Sequence, residues 1–557
     1  MKRRELLRLA PALTLALAES GLNAQQAADQ PLVSREQARQ ALAALGLEFK
    51  DEQLDLMLPN LGRSLGNFNS LRRLRIPLDT DPAIRFDPLL PGRALPAAGR
   101  FVPSKPAPAP AWDRIEQLAY RPVSQLAELL RRRKVSSVEL TRMYLARLKQ
   151  HSPALLCTVT LTESLALEQA ARADGEIRAG RYRGPLHGIP YGAKDLFAVK
   201  GFPTTWGAEP YREQAFDRNA TVIDRLEQAG AVLVAKLSMG ALAMGDLWFN
   251  GRTKNPWNPE QGSSGSSAGS ASATAAGLVG FSLGTETLGS ILSPSTRCGV
   301  TGLRPTFGRV SRAGAMALSW TMDKVGPICR TVEDCMLVLR AIQGDDGRDL
   351  TVRNAPLAWN PTAPLKQLRV GVLAADFARQ APERRKILDD ALSALRSLGV
   401  EPREAKLPEF TATPLLLILN AEAAAAFDDL TRDGGVDLLS GQRPGDWPNS
   451  FRSARLVPAV EYLRAQRART LLMREFDKFM SEWDVLVSPN QSGALGITNL
   501  TGHPQICVPC GFANGNDPVS LTFTGRLYEE GVMARVAKAW QDATGWHRRQ
   551  PPSFESR

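Results

Sequence analysis

Serines and one lysine dominate the stretches of this chain that could do chemistry. Gly192-Ala193-Lys194-Asp195 sets a lysine beside an aspartate. Gln261 to Ala276 reads QGSSGSSAGSASATAA, and Gly284 to Leu292 reads GTETLGSIL. A serine hydroxyl is a poor nucleophile without an adjacent base, so the question is which base serves it. One reading takes Gly265-Ser266-Ser267-Ala268-Gly269 as a G-x-S-x-G elbow with His503 as base. The elbow needs a strand directly before it, and Asn255-Pro256-Trp257-Asn258-Pro259-Glu260 has two prolines and no apolar alternation. Another takes the serine-rich stretch as a flexible linker. It fits poorly, because the run continues into Gly277–Gly284, a buried-strand pattern. Small residues at this density suggest backbone packed closely on backbone. A third reading uses Lys194. A lone lysine reads as a solvated surface charge, and it acts as a base only if burial or neighbouring donors keep it neutral.

Taken together, the stretches resemble the amidase signature family. Its pattern runs G-x-K-D, G-S-S-G-G-S-A, G-T-D-T-G-G-S-I-R and G-x-K-P-T-x-G. This chain has GAKD at 192–195, GSSAGSA at 265–271, GTETLGSIL at 284–292 and GLRPTFG at 302–308, in the same order. The likeness also takes in 323–334 (DKVGPICRTVED) and 499–512 (NLTGHPQICVPCGF). The resemblance implies Ser290 as nucleophile, Ser266 as relay after a cis peptide bond, and Lys194 as base. It implies an oxyanion hole made by the backbone N–H groups of Thr287, Leu288, Gly289 and Ser290. Consecutive N–H groups face one oxygen only in a tight turn, which favours Gly289. It also implies amide hydrolysis to acid plus ammonia or amine, without metal or organic cofactor, on a small-molecule or peptide amide. Three positions depart from the pattern. Leu288 stands for a glycine, Glu286 for an aspartate, and Leu292 for the arginine after Ser-Ile. A backbone donor needs no particular side chain, so Leu288 is expected to reshape the pocket rather than abolish the hole. The G-T-E-T-x-G-S-I form resembles the peptide-amidase-like branch, and weakens the likeness to the A-type subunit of glutamyl-tRNA amidotransferase. A catalytically silent binding protein on the same fold is the other alternative.

The implied fold is α/β: a large mixed sheet surrounded by helices, over residues 112–557. Ser136 and Glu139 form a capping box before Leu140, Tyr144, Leu145 and Leu148. Residues 220–229 read as a helix, 231–235 and 368–373 as strands, and 185–191 as turn-rich. Ahead of this lies a small helical extension with a proline-rich connector, residues 25–111. There Ser34 and Gln37 predict another capping box, and Pro103, Pro106, Pro108 and Pro110 an extended run. Residues 1–24 resemble an export signal of the twin-arginine type. Lys2, Arg3 and Arg4 precede a short apolar run, Leu9–Ala18, too short to span a bilayer. The expected location is periplasmic or secreted.

Composition excludes several classes. Of 557 residues, 43 % are hydrophobic and 23 % charged, an ordinary globular balance. The net charge of +12 is scattered, with no groove-reading motif, so no nucleic-acid partner is expected. Its densest cluster, Arg131–Lys134, reads as a helix C-terminus. Six cysteines do not make a disulfide framework, and Cys507–Cys510, though CxxC in spacing, sits in a strand pattern. The four histidines are too far apart to pair on a metal, and no later run is long enough for a stable membrane span. Arg464, Arg467 and Arg469 offer either a carboxylate site or a solvated helix face, and the second is expected.

Overall fold

A computed structural model describes residues 33–44 and 86–555, together with 46, 51, 55 and 58, less 109, 110, 411, 444, 456 and 491. The signal-like stretch 1–24 therefore lies outside the described residues. The chain divides into two compact units, Met1–Pro77 and Leu78–Arg557. In the first, helix Arg35–Ala44 starts at the expected capping box. The Gln37 N–H donates to Ser34 Oγ at 3.2 Å, and the Ser34 N–H donates to Gln37 Oε1 at 2.8 Å. Leu45 and Leu47, which would extend its apolar face, fall outside the described residues.

The second unit is built on one sheet of eleven strands. They are β1 Thr158–Leu161, β2 Pro190–Lys194, β3 Val232–Leu237, β4 Phe281–Glu286, β5 Thr301–Arg304, β6 Lys324–Cys329, β7 Val370–Val372, β8 Arg403–Glu404, β9 Val485–Pro489, β10 Gln505–Ala513 and β11 Asp517–Gly525. Their order is β1-β3-β2-β4-β6-β5-β10-β11-β9-β7-β8. The β3-β2-β4 trio is parallel, and β6 runs antiparallel to β4 and to β5. This is a mixed α/β fold with helices around the sheet. Strands β2 and β3 are buried at every residue, which is why they carry no polar–apolar alternation.

Local rules place several elements where the sequence puts them. Helix Ser137–Leu155 starts at the Ser136–Glu139 capping box and buries Leu140, Tyr144, Leu145 and Leu148. Helix Thr221–Gln228 leads into β3. Two expectations need correction. The strand expected over 277–284 begins only at Phe281. Gly277 turns the chain at φ +67°. Arg147 donates to the carbonyls of Ala276 and Gly277, and Arg330 to those of Val279 and Gly280, so these oxygens are taken by guanidinium groups rather than a ladder. The turn-rich reading of 185–191 holds over 185–188 and gives way at Pro190, where the strand Pro190–Lys194 begins inside the sheet.

The serine-rich stretch is no linker. After the hairpin strand Asn258–Gly262 it forms helix Ala268–Ala275, every residue of which is buried. The helix lies backbone to backbone on its neighbours. A Cβ at Gly269 would sit 2.3 Å from the Cys157 oxygen and 2.5 Å from the Ser238 nitrogen. The segment near Phe101 runs along the same unit. The Val102 N–H donates to the Trp359 oxygen at 2.7 Å, and Ser104 donates through its hydroxyl and its N–H to the Glu333 carboxylate. Among the described residues, no helix is long and apolar enough to cross a membrane.

Candidate active site

Lys194 ends β2 and is fully buried. Its Nζ donates to Ser266 Oγ at 2.8 Å, Thr285 Oγ1 at 2.9 Å, Ser267 Oγ at 3.2 Å and the Thr285 carbonyl at 3.5 Å. These partners are three hydroxyls and a carbonyl. Burial pushes the amine down to about 7, against the Asp323 and Glu286 carboxylates, which favour its charge. An amine so placed exchanges its proton near neutral pH. Gly192 lets β3 approach: a Cβ there would meet Leu237 Cδ1 at 2.3 Å.

The turn carrying Ser266 is made by main-chain contact. The Gly265–Ser266 peptide bond is cis, as the resemblance implies. A Cβ on Gly265 would lie 1.7 Å from the Gly245 oxygen, so only glycine fits. Ser267 fastens this turn to β4. Its hydroxyl donates to the Thr285 oxygen and accepts from the Thr285 N–H, both at 3.1 Å. Its own N–H donates to the Ser290 oxygen at 3.1 Å, so the 265–267 and 287–290 turns lie side by side.

Beyond β4 the chain turns through Thr287–Ser290, with Gly289 at φ +88°. The Glu286 carboxylate folds over this turn and accepts the N–H groups of Ile291 at 2.9 Å and Leu292 at 3.0 Å. Its other oxygen accepts from Arg304 at 2.7 Å and Asn499 at 3.0 Å. Burial pushes this carboxyl up, but Arg304, Lys324 and these bonds outweigh it and hold it at about 2. Thr287 donates its hydroxyl to Asp323 at 2.6 Å, and Asp323 in turn accepts the N–H groups of Leu318 and Ser319. Among the described residues, the N–H groups of Thr287, Leu288, Gly289 and Ser290 meet no protein acceptor. Such a row of free donors can receive a developing oxyanion. Ser290 itself is 8 % exposed. A cleft of about 580 Å3 is lined by Gly245, Asp246, Ser264, Gly265 and Ser293, and so borders the turn that carries Ser266.

Two further buried residues, Glu422 and Arg469, complete the support. Glu422 accepts from the hydroxyls of Ser319, Thr321 and Tyr462. Arg469 donates to Thr321 Oγ1 at 2.8 Å and to the Thr321 oxygen at 2.9 Å. Together they brace the 318–323 loop that presents Asp323 to Thr287. Arg469 is thus buried rather than solvated, a correction; Arg464 and Arg467 of the same helix are exposed. The signal for Asp323 was its place in DKVGPICRTVED. Glu422 lies in an alanine-rich helix without any motif.

Other candidates stay apart from this site. His503 bonds Thr501 at 2.8 Å, and burial pushes it down to about 3, so it is no base for Ser266. Cys507 and Cys510 lie in β10, and all six cysteines are buried and unpaired. Among the described residues no cluster of His, Cys, Asp or Glu is arranged to hold a metal ion.

The arrangement has relatives. The chain is 36 % identical over 479 residues to the A-type subunit of the glutamyl-tRNA(Gln) amidotransferase of Roseiflexus sp. (strain RS-1), covering 77 % of this chain and 97 % of that one. It is 34 % identical over 482 residues to the protein of the same name from Marinomonas sp. (strain MWYL1), covering 77 % and 98 %. The native peptide amidase of Stenotrophomonas maltophilia superposes with a TM-score of 0.69 at 29 % identity, over 79 % of this chain and 100 % of that one. The amidase family model matches residues 139–533, a span that holds Lys194, both serine turns and the braces around them. The chain therefore belongs to the amidase signature family and is an enzyme of the amidase class.

Proposed function

We propose that this protein hydrolyses a carboxylic amide to the acid plus ammonia or an amine, through an acyl-enzyme on Ser290. Ser290 Oγ attacks the carbonyl carbon as its proton passes to Ser266, whose own proton passes to Lys194. The carbonyl oxygen takes up the negative charge facing the N–H groups of Thr287, Leu288, Gly289 and Ser290. Loss of one such donor typically raises a barrier by ~2.7–4 kcal/mol. As the C–N bond breaks, the leaving nitrogen takes a proton from Ser266, which Lys194 replaces. Water then repeats the sequence on the ester and frees the acid. The observation that carries this reading is the Lys194 Nζ, fully buried, among hydroxyls and 2.8 Å from Ser266 Oγ. A fluorophosphonate probe tests it. Ser290 is labelled in the wild type, and labelling that persists unchanged at another serine in Ser290→Ala removes the assignment.

The substrate is a small-molecule or peptide amide, and the likeness to a peptide amidase supports including peptide C-terminal amides beside aliphatic and aryl amides in a screen. No metal or organic cofactor enters this scheme. The identity to the A-type chains of glutamyl-tRNA(Gln) amidotransferases favours a second reading, one component of an amidotransferase working with partners. Glu286, Leu292 and the signal-like start of the chain argue against it. Amide turnover by the purified chain alone separates the two, and its complete absence, with no labelling of Ser290, leaves the silent binding protein. The basic start and short apolar run of 1–24 support export to the periplasm or medium. Arg3→Lys with Arg4→Lys should hold the protein in the cytoplasm, and unchanged export would rule out the twin-arginine route.

A further inference from the structure

A cavity of about 850 Å3 has none of Lys194, Ser266 or Ser290 in its lining. Thr274 and Ala275, in its wall, form the last turn of helix Ala268–Ala275, whose first turn follows Ser266. Eight residues of helix, about 12 Å, separate the two places. Most of the wall comes from 104–125 and 538–550, outside the 139–533 stretch that the family model matches. Its volume falls in the ordinary range for small ligands.

Its lining is strongly basic. Lys105, Arg121, Arg330, Lys538, Arg548 and Arg549 face it with only two carboxylates, Glu333 and Asp542. Both acids already have partners, and Asp542 neutralises one of these cations, so the wall keeps an excess of positive charge. Glu333 accepts from Ser104 and from the Trp359 indole, and Asp542 pairs with Lys538. Buried donors in the wall lack acceptors: Arg121 Nε, Arg330 Nε and, when protonated there, His547 Nδ1. Arg330 is only 6 % exposed, and its other two nitrogens already hold the Val279 and Gly280 carbonyls. Arg549 lies 4.2 Å over the Phe512 ring, so aromatic stacking already fixes its guanidinium. Lys105, Arg548 and Arg549 stand exposed in the wall, where an anion can meet them with charge-assisted bonds. We propose that this cavity binds a small organic anion bearing two or more carboxylate or phosphate groups.

Titration calorimetry on the full chain at fixed ionic strength tests this, with citrate and inorganic pyrophosphate as probes and acetate as the singly charged control. At least one polyanion should bind saturably, with a Kd at or below about 1 mM, and acetate should not. Tighter pyrophosphate assigns the phosphate class, tighter citrate the carboxylate class. Lys105→Gln with Arg548→Gln, both at exposed positions, should weaken that binding by at least about 10-fold while leaving the melting curve of the unliganded protein unchanged. Absence of saturable binding by either polyanion overturns the proposal, as does undiminished affinity in the double variant.

Discussion

Two buried lysines sit on adjacent strands and have opposite neighbours. Lys194 ends β2, and Lys236 lies on β3 opposite Ala193. Neither is exposed, and burial pushes both amines down. Lys236 holds Asp195 at 2.6 Å and donates to the Pro203 oxygen and Thr204 Oγ1, so a carboxylate in contact pulls its proton back. Lys194 meets hydroxyls and a carbonyl, and its nearest help comes from carboxylates it does not touch. The same depth of burial thus makes one lysine half of an ion pair and the other an amine able to trade its proton. The contact partner decides which.

The sharpest way to break this comparison is Lys236→Met. It would leave Asp195 buried without its cation, and removing one partner of a buried pair costs ~3–5 kcal/mol. Urea unfolding should show that loss, with kcat of the folded protein near wild type. An unchanged midpoint would mean the pair holds nothing. Lys194→Met should do the reverse. Amide turnover should fall at least ~10²-fold, the usual floor for losing a general base, while unfolding free energy at pH 6 stays equal or rises. A stability loss like that of Lys236→Met would put both lysines in one class.

A smaller effect lies in pH. In the proposed mechanism the base, Lys194, must be neutral, so kcat should climb as pH rises through about 7 and then level off. The folded amine titrates near 7, and the unfolded one near its ordinary 10.5. Between those values the unfolded chain holds more protons, so this group makes stability rise with pH across that window and adds no slope below it. Comparing melting temperatures of wild type and Lys194→Met across pH 6–10 isolates that slope. The smallest effect is expected from Asp323→Asn. With Glu286 it is one of the carboxylates favouring charge on Lys194, so its loss should move the acid limb of the profile to lower pH, by less than about one unit. Movement to higher pH would contradict this electrostatic role.

Local rules and linked motifs were legible in the sequence. The Ser136–Glu139 box and the helix before β3 stand where residue types put them, because each rests on neighbours a few positions apart. Strand β2 escaped notice since a strand buried on both faces has no alternation, and its glycine and proline read as a turn. Contacts between distant segments left no trace at all. Glu422 reaches Ser319 and Thr321 across about a hundred residues, and Arg469 sits one helical turn from exposed arginines yet points inward. Gly269 and Gly265 were visible as small residues, but which backbone each admits depends on the fold.

The strand order also ties readiness to synthesis. Strand β5 is bordered on one side by β6 and on the other by β10, which the ribosome makes some 200 residues later. At ordinary elongation rates that is about 10–40 s in which β5 is an open edge of the nascent chain. The lock on the 287–290 turn has the same dependence, because Glu286 is held by Asn499, and Arg304 is anchored on the His503 oxygen. An unfinished chain carries Lys194, Ser266 and Ser290 but not the parts that fix their turns, so under the proposed mechanism a fragment released early would turn over no amide.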